Sequence, residues 1–293
     1  MKMMLLVLAL NWKAEPQFGG FYAAQLNGEF KKRQLEVRIV EGGSGTPTVQ
    51  MLGAGKVQFA IVSGEEILIA RERNSKITAL FAVYQTNPQA IMTRESLGFK
   101  SLKEVFASEG VLAMQKGLSY AQFLLQKYPQ SKLKIVPLSG GISQFLIDSR
   151  YSQQCFATSE PLLAKKAGVK TKTFLISDEG FNPYTTVLAT SEEMLKNDKA
   201  TKAFVEAVRS GWKEYLKNPE PTNKFMASLN KSMDAATFAE SSAAQAPLIE
   251  SAETEKNHLG YMTVERWQSL IQQMRTLKLL KQDLQAQDVF RNY

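Results

Sequence analysis

Hydrophobic positions in this chain fall into short runs separated by amphipathic stretches. Residues 3–10 are almost wholly apolar and end in Asn11-Trp12-Lys13-Ala14-Glu15-Pro16-Gln17-Phe18-Gly19-Gly20. This predicts a strand, a polar and aromatic loop, and a helix beginning near Gly20. Tyr22, Leu26 and Phe30 then recur at helical spacing, and Leu35, Val37 and Ile39 alternate with Glu36 and Arg38 as in a strand. Thr46 suits an N-cap and Pro47 the first helical position, with Val49 and Leu52 on the helix that follows. Residues 57–62 predict a strand, Ser63-Gly64 opens a helix carrying Ile67 and Leu68, and residues 77–84 predict another strand. A β-α-β-α-β-α-β series of this kind predicts an α/β fold with a parallel, doubly wound sheet.

Gln85-Thr86-Asn87-Pro88 breaks the pattern, and a second α/β set begins at Ala90. Ser101 and Glu104 have capping-box spacing. Strands are predicted at 111–114, 135–138, 155–158 and 173–177. Helices are predicted after Ser119, after Gly140-Gly141 and over 159–167. Asn182-Pro183-Tyr184 returns the chain to the first set through a strand at 185–189, and the remainder reads as helical. Phe204, Val208, Trp212 and Leu216 form one apolar face, ended by Pro219 and Pro221, and Thr263 caps a helix carrying Trp267, Ile271 and Met274. Those rings are expected in the core. The expected organisation is two lobes, each a mostly parallel sheet flanked by helices: residues 1–88 with 185–293, and residues 89–184.

Composition narrows the chemistry. The formal charge of +8 is spread in short groups such as Lys31-Lys32-Arg33 and Lys165-Lys166, so nucleic acid is not an expected partner. Cys155 is the only cysteine, which excludes an intramolecular disulfide, and His258 is the only histidine. Zinc or iron ligand spacing is missing, so neither a metal nor a cofactor is expected. No serine- or cysteine-hydrolase pairing is recognisable, and the chain is not expected to be an enzyme. Met1-Lys2 and the apolar run imitate a short signal peptide, but cleavage after Ala14 would delete the first strand. The run is therefore read as a buried strand, in a chain lacking its export signal or starting upstream of this Met1. No other stretch approaches a membrane-spanning length.

In open α/β sheets ligands bind at the carboxyl edge of the strands, and a two-lobed arrangement implies a cleft lined by such loops. The first set contributes Asn11, Trp12, Glu15, Phe18, Ser44, Thr46, Ser63, Gly64 and Glu65. The crossover adds Gln85 and Asn87, the second set Gln115, Ser119, Tyr120, Thr158 and Glu160, and the return segment Tyr184. Helix N-termini near Thr46, Gly64 and Ser119 favour anionic or carbonyl-rich groups. Glu15, Glu65 and Glu160 favour amino groups or amidine-like ring edges instead.

The string LNWKAEPQFGGFYAAQ resembles the first strand, loop and helix of periplasmic substrate-binding proteins of ABC importers, in the branch serving thiamine-pyrimidine precursors, with riboflavin, taurine and alkylsulfonate binders nearby. EGGSGTPTVQMLGAGKVQFAIVSGEE, the NPYTTVLATSEEML region with the helix after it, and LGYMTVERWQSLIQQM extend the likeness along almost the whole chain. The resemblance implies a monomeric, periplasmic or membrane-anchored binder that closes by a hinge around a small ligand and delivers it to an ABC permease. Membrane contact would come through that permease only. The family's pyrimidine binders use ring stacking with carboxylate or amide contacts, which Trp12, Phe18, Tyr184 and Glu15 match. Its sulfonate binders use serine hydroxyls and backbone N–H groups. Relatives of this fold also include eukaryotic pyrimidine-synthesising enzymes with a C-C-C-F-C segment, a reactive histidine and a pyridoxal-phosphate lysine. Gln154-Cys155-Phe156 is the nearest counterpart here, with a single cysteine.

Overall fold

The strands of the computed structural model, which describes residues 3–293, are β1 (Met4–Ala9), β2 (Leu35–Val40), β3 (Phe59–Val62), β4 (Ile77–Tyr84), β5 (Gln89–Arg94), β6 (Val111–Ala113), β7 (Lys134–Val136), β8 (Tyr151–Phe156), β9 (Thr171–Leu175) and β10 (Thr185–Ser191). The chain divides into two compact units. One contains the residues up to Gln85 together with Pro183–Tyr293, and the other is Thr86–Asn182.

The first unit is built on a five-stranded sheet of order β2-β1-β3-β10-β4. β1 runs parallel to β2 and β3, whereas β10 is antiparallel to both its neighbours. The second unit repeats this plan as β7-β6-β8-β5-β9, with β5 the antiparallel strand. Both sheets are therefore mixed. In each, the reversed strand is the one the chain forms on entering the unit.

β4 is buried along its whole length, as expected of a strand covered on both faces. β1 differs from its predicted burial, because Met3, Met4 and Leu5 are 41%, 38% and 61% exposed. The reason is register: β3 pairs only with Leu8 and Ala9, so the first half of β1 runs past its neighbour on that side. β8 begins at Tyr151 rather than at Cys155, adding the polar but buried Ser152, Gln153 and Gln154 to the sheet.

Helices of the first unit's C-terminal portion form a layer whose apolar faces follow the predicted spacing. Phe204, Val208 and Trp212 are fully buried on the helix Asp198–Lys217, and Trp267 and Met274 on the helix Val264–Thr276. Asp198–Lys217 lies tightly on Gly19–Leu26: a Cβ added at Gly211 would meet the Gly20 carbonyl oxygen at 2.2 Å. Pro219 follows one helix, and Pro221 sits in the first turn of the next, Glu220–Leu229, so the prolines separate two helices. Among the described residues no helix is long and apolar enough to cross a membrane.

Candidate functional site

Two loops at the carboxyl edge of the first unit's sheet are tied to each other by backbone. Leu10 N–H donates to the Val40 carbonyl at 2.8 Å, and Gly42 N–H donates to the Trp12 carbonyl at 3.0 Å. Only glycine fits at position 42, where a Cβ would lie 2.2 Å from the Leu10 carbonyl oxygen. Glu41 accepts from the Ala14 N–H at 3.1 Å and adds a third tie. On this frame stands Trp12, 38% exposed, with its indole N–H donating to Glu15 Oε1 at 3.1 Å. The carboxylate expected to meet a ligand therefore also fixes the direction of the ring expected to stack on one. Asn11 is half-buried, Ser44 is exposed and Thr46 is half-buried in the neighbouring loop.

Several expected contacts take other roles. Phe18 is fully buried at the start of the helix Gly19–Leu26, so it packs within the unit instead of facing a ligand. Thr46 is not an N-cap. Its hydroxyl accepts from the Gly43 N–H at 2.8 Å within the loop, and the helix begins at Thr48 with only six residues. Ser63 and Glu66 form a reciprocal capping box, and Gly64 N–H donates to the Tyr184 carbonyl at 2.8 Å. Those groups of that helix N-terminus are thus already engaged, which weakens the expected anion site. Glu65 is half-buried beside them.

Tyr184 is buried, with its hydroxyl accepting from the Thr263 N–H at 3.0 Å and the Arg266 guanidinium over its ring, 3.8 Å from the centroid. One face of the ring is thereby covered by a cation–π contact and is not open for stacking. Burial lowers the Arg266 pKa to about 10, which leaves it charged at neutral pH. Arg266 also donates to the Gln85 carbonyl. Gln85 is buried, and its side-chain amide donates to the Tyr261 carbonyl at 3.1 Å. Arg266 was not legible as a site residue, since one arginine in an amphipathic helix looks like a solvated charge.

In the second unit the carboxyl-edge loops centre on Gln154. Its Oε1 accepts from the Gln115 N–H at 2.6 Å and from the Tyr120 hydroxyl. Tyr120 is buried and Gln115 is exposed, so the loop is braced from within and the Tyr120 hydroxyl serves the brace rather than a ligand. Ser119 and Thr158 are also buried, against the expectation that they line a cleft. Asn87 is buried and holds the crossover: its Oδ1 accepts from the Gln89 N–H at 2.9 Å, and its N–H donates to Asn182 Oδ1 at 2.9 Å. Glu160 is half-buried, in the first turn of Glu160–Lys166, where its carboxylate accepts from the Phe156 N–H at 2.8 Å.

Burial pushes the Glu160 carboxyl above its usual range, against the opposing pull of the Phe156 and Glu160 backbone N–H groups. The folded unit then keeps a proton that the unfolded chain releases near its ordinary value of 4.5. Stability falls as pH rises from there through the raised folded value. Glu160→Gln keeps an acceptor for Phe156 and removes the titration. Its melting temperature is expected to exceed the parent's at neutral pH and to converge on it below about pH 4. A gap that stays constant across that range, read by thermal melts, would contradict the assignment.

The residues an enzyme reading would use are placed elsewhere. Cys155 is buried on β8, where burial and then nearby Glu160 hold its thiol well above the usual range, so the nucleophilic thiolate is disfavoured. His258 lies in a groove with Lys213, Lys217 and Glu250 on the helical layer of the first unit. Burial, and then Arg209, lower its pKa.

The riboflavin-binding protein RibY of Chloroflexus aurantiacus is 24% identical over 305 residues, covering 97% of this chain and 84% of RibY. A 4-amino-5-hydroxymethyl-2-methylpyrimidine phosphate synthase of Candida albicans is 29% identical over 98 residues, which span 32% of this chain and 29% of that enzyme. Among solved structures, the alkanesulfonate-binding protein SsuA of Xanthomonas axonopodis pv. citri, bound to MOPS, superimposes with a TM-score of 0.70 over 100% of both chains at 12% identity. At that identity the likeness establishes the fold, which is the two-lobed α/β periplasmic-binding-protein fold. A family model described as NMT1/THI5 like matches residues 15–222. That span is well over half the sequence, and the chain belongs to the NMT1/THI5-like family.

Proposed function

We propose that this chain is the solute-binding component of an ABC importer, working outside the cytoplasmic membrane, and that its ligand is a small heteroaromatic nutrient of the thiamine-pyrimidine type. The observation that carries this reading is the exposed indole of Trp12, latched to Glu15 at the carboxyl edge of the first unit's sheet. An aromatic face beside a carboxylate suits a flat ring bearing an amino group. The ring stacks, and the carboxylate, with about four acceptor positions on its two oxygens, takes N–H donors. Glu65 and Glu160 add carboxylates at the edges of the two sheets. The second unit contributes Gln115, and Ser44 and Asn11 supply smaller polar contacts. The units are expected to close on the ligand, lowering the radius of gyration in solution scattering on saturation.

Riboflavin is the second reading, because the match to RibY runs the length of the chain. A sulfonate is less well supported, since the Gly64 N–H that would meet an anion is already bonded. A pyrimidine-synthesising enzyme is the alternative from another class. Against it, the match to the Candida albicans synthase spans under a third of either chain, and Cys155 is buried.

Mass spectrometry of small molecules that co-purify with the chain is the direct test. Titrations with 4-amino-5-hydroxymethyl-2-methylpyrimidine, riboflavin and taurine would follow. Recovery of a pyrimidine unaltered, with His258→Ala binding as well as the parent, supports the leading reading. Loss of the His258 side chain on incubation with pyridoxal phosphate would replace it with the enzyme.

A further inference from the structure

The Trp12–Glu15 loop is held from beneath by side chains that lie more than two hundred positions away. Gln245, on the helix Ala235–Ile249, is 1% exposed. Its Oε1 accepts from the Tyr84 hydroxyl at 2.8 Å, and its Nε2 donates to the Pro16 carbonyl at 2.9 Å. Asn230, 4% exposed at the end of the helix Glu220–Leu229, donates from Nδ2 to the Ala14 carbonyl at 3.2 Å. Ala14 and Pro16 are the two neighbours of Glu15, so the carbonyls on either side of that residue are pinned by buried amides. With Glu41 on the Ala14 N–H, the loop backbone is fixed at three points.

We propose that Gln245 and Asn230 are positioning residues that hold Glu15, and through it Trp12, in the geometry that receives a ligand. The inference rests on the functional reading above. Chemistry explains the residue types. Position 245 must accept from a phenol and donate to a carbonyl at once, and among side chains of this length only a primary amide does both while staying neutral. A carboxylate there would face the Pro16 carbonyl with no donor, and an apolar isostere would leave both partners unsatisfied in a dry interior. A loop held in its bound shape loses less conformational freedom on binding, which raises affinity without adding a contact.

The test uses Trp12 as its own reporter. Trp212 and Trp267 are 0% exposed, whereas Trp12 is 38% exposed, so acrylamide quenching of the unliganded protein reads Trp12 selectively. At about pH 9, where even a carboxyl raised by burial ionises, Gln245→Glu and, separately, Asn230→Ala are expected to raise quenching and to speed amide hydrogen exchange across residues 12–18 while the rest of the unit keeps its protection. Affinity for 4-amino-5-hydroxymethyl-2-methylpyrimidine or riboflavin, whichever the parent binds, is expected to fall on the order of tenfold, about one hydrogen bond's worth. In Gln245→Glu both effects should reverse as pH is lowered, because protonation of the new carboxyl restores a donor beside an acceptor. If both variants melt at lower temperature yet quenching and loop exchange match the parent, these amides only support the helical layer and the proposal fails. If the parent binds neither compound, the functional reading is in question, while quenching and exchange still decide whether the amides position the loop. Should Gln245→Glu not fold, Asn230→Ala carries the test by itself.

Discussion

Phe18→Ala is expected to destabilise the unliganded protein by about 3–5 kcal/mol, the cost of removing a fully buried aromatic ring and leaving its cavity. In a unit of this size that corresponds to a melting temperature lower by roughly 6–20 °C. The surviving folded fraction is expected to bind ligand with nearly parental affinity, since Phe18 has no exposed surface to offer. Thermal melts alongside a binding titration check both halves. A stable Phe18→Ala protein that has lost binding would return Phe18 to the ligand contacts.

Trp12→Ala is expected to do the reverse. Its side chain is 38% exposed, against 0% for Phe18, so the unliganded melting temperature should move far less. Binding should weaken by roughly 1–3 kcal/mol, about 5- to 150-fold, through lost stacking and lost buried apolar area. Glu15→Gln isolates the latch. It keeps an acceptor for the indole N–H but removes the charge, so it should cost more if the ligand's partner group is cationic than if it is a neutral amine. Isothermal titration of both variants measures these effects. Normal binding by Trp12→Ala would remove the observation on which the functional proposal stands.

The contrast between these two rings shows what sequence reading could reach here. Trp12 and Phe18 sit six positions apart in one loop, and nothing local distinguishes them. The strand before them and the helix after them were legible, because periodicity depends only on neighbours along the chain. Thr263 was readable as an N-cap for the same reason, and its hydroxyl accepts from the Arg266 N–H at 3.3 Å. Thr46 before Pro47 fits an N-cap by its neighbours, but the loop itself takes the hydroxyl, which accepts from the Gly43 N–H. The start of β8 at Tyr151, four residues before Cys155, is not legible in the sequence because Ser152, Gln153 and Gln154 lack an apolar period. They are buried for partners contributed by other loops, such as the Gly141 carbonyl that accepts from Gln153 Nε2 at 3.1 Å.

The sequence by itself determined the alternation of strands and helices and the loops that carry polar and aromatic groups. Each of these is a property of a few adjacent residues. Tertiary structure alone decided which loop side chains remain outside and which become braces. Tyr184 and Tyr120 look like binding residues in the sequence and are buried in contact with Arg266 and Gln154. Gln245 looks like a solvated helix residue and instead holds the Pro16 carbonyl, 229 positions away. The physical reason is that a buried polar group must find its partner wherever the fold brings one, and sequence proximity does not specify that partner.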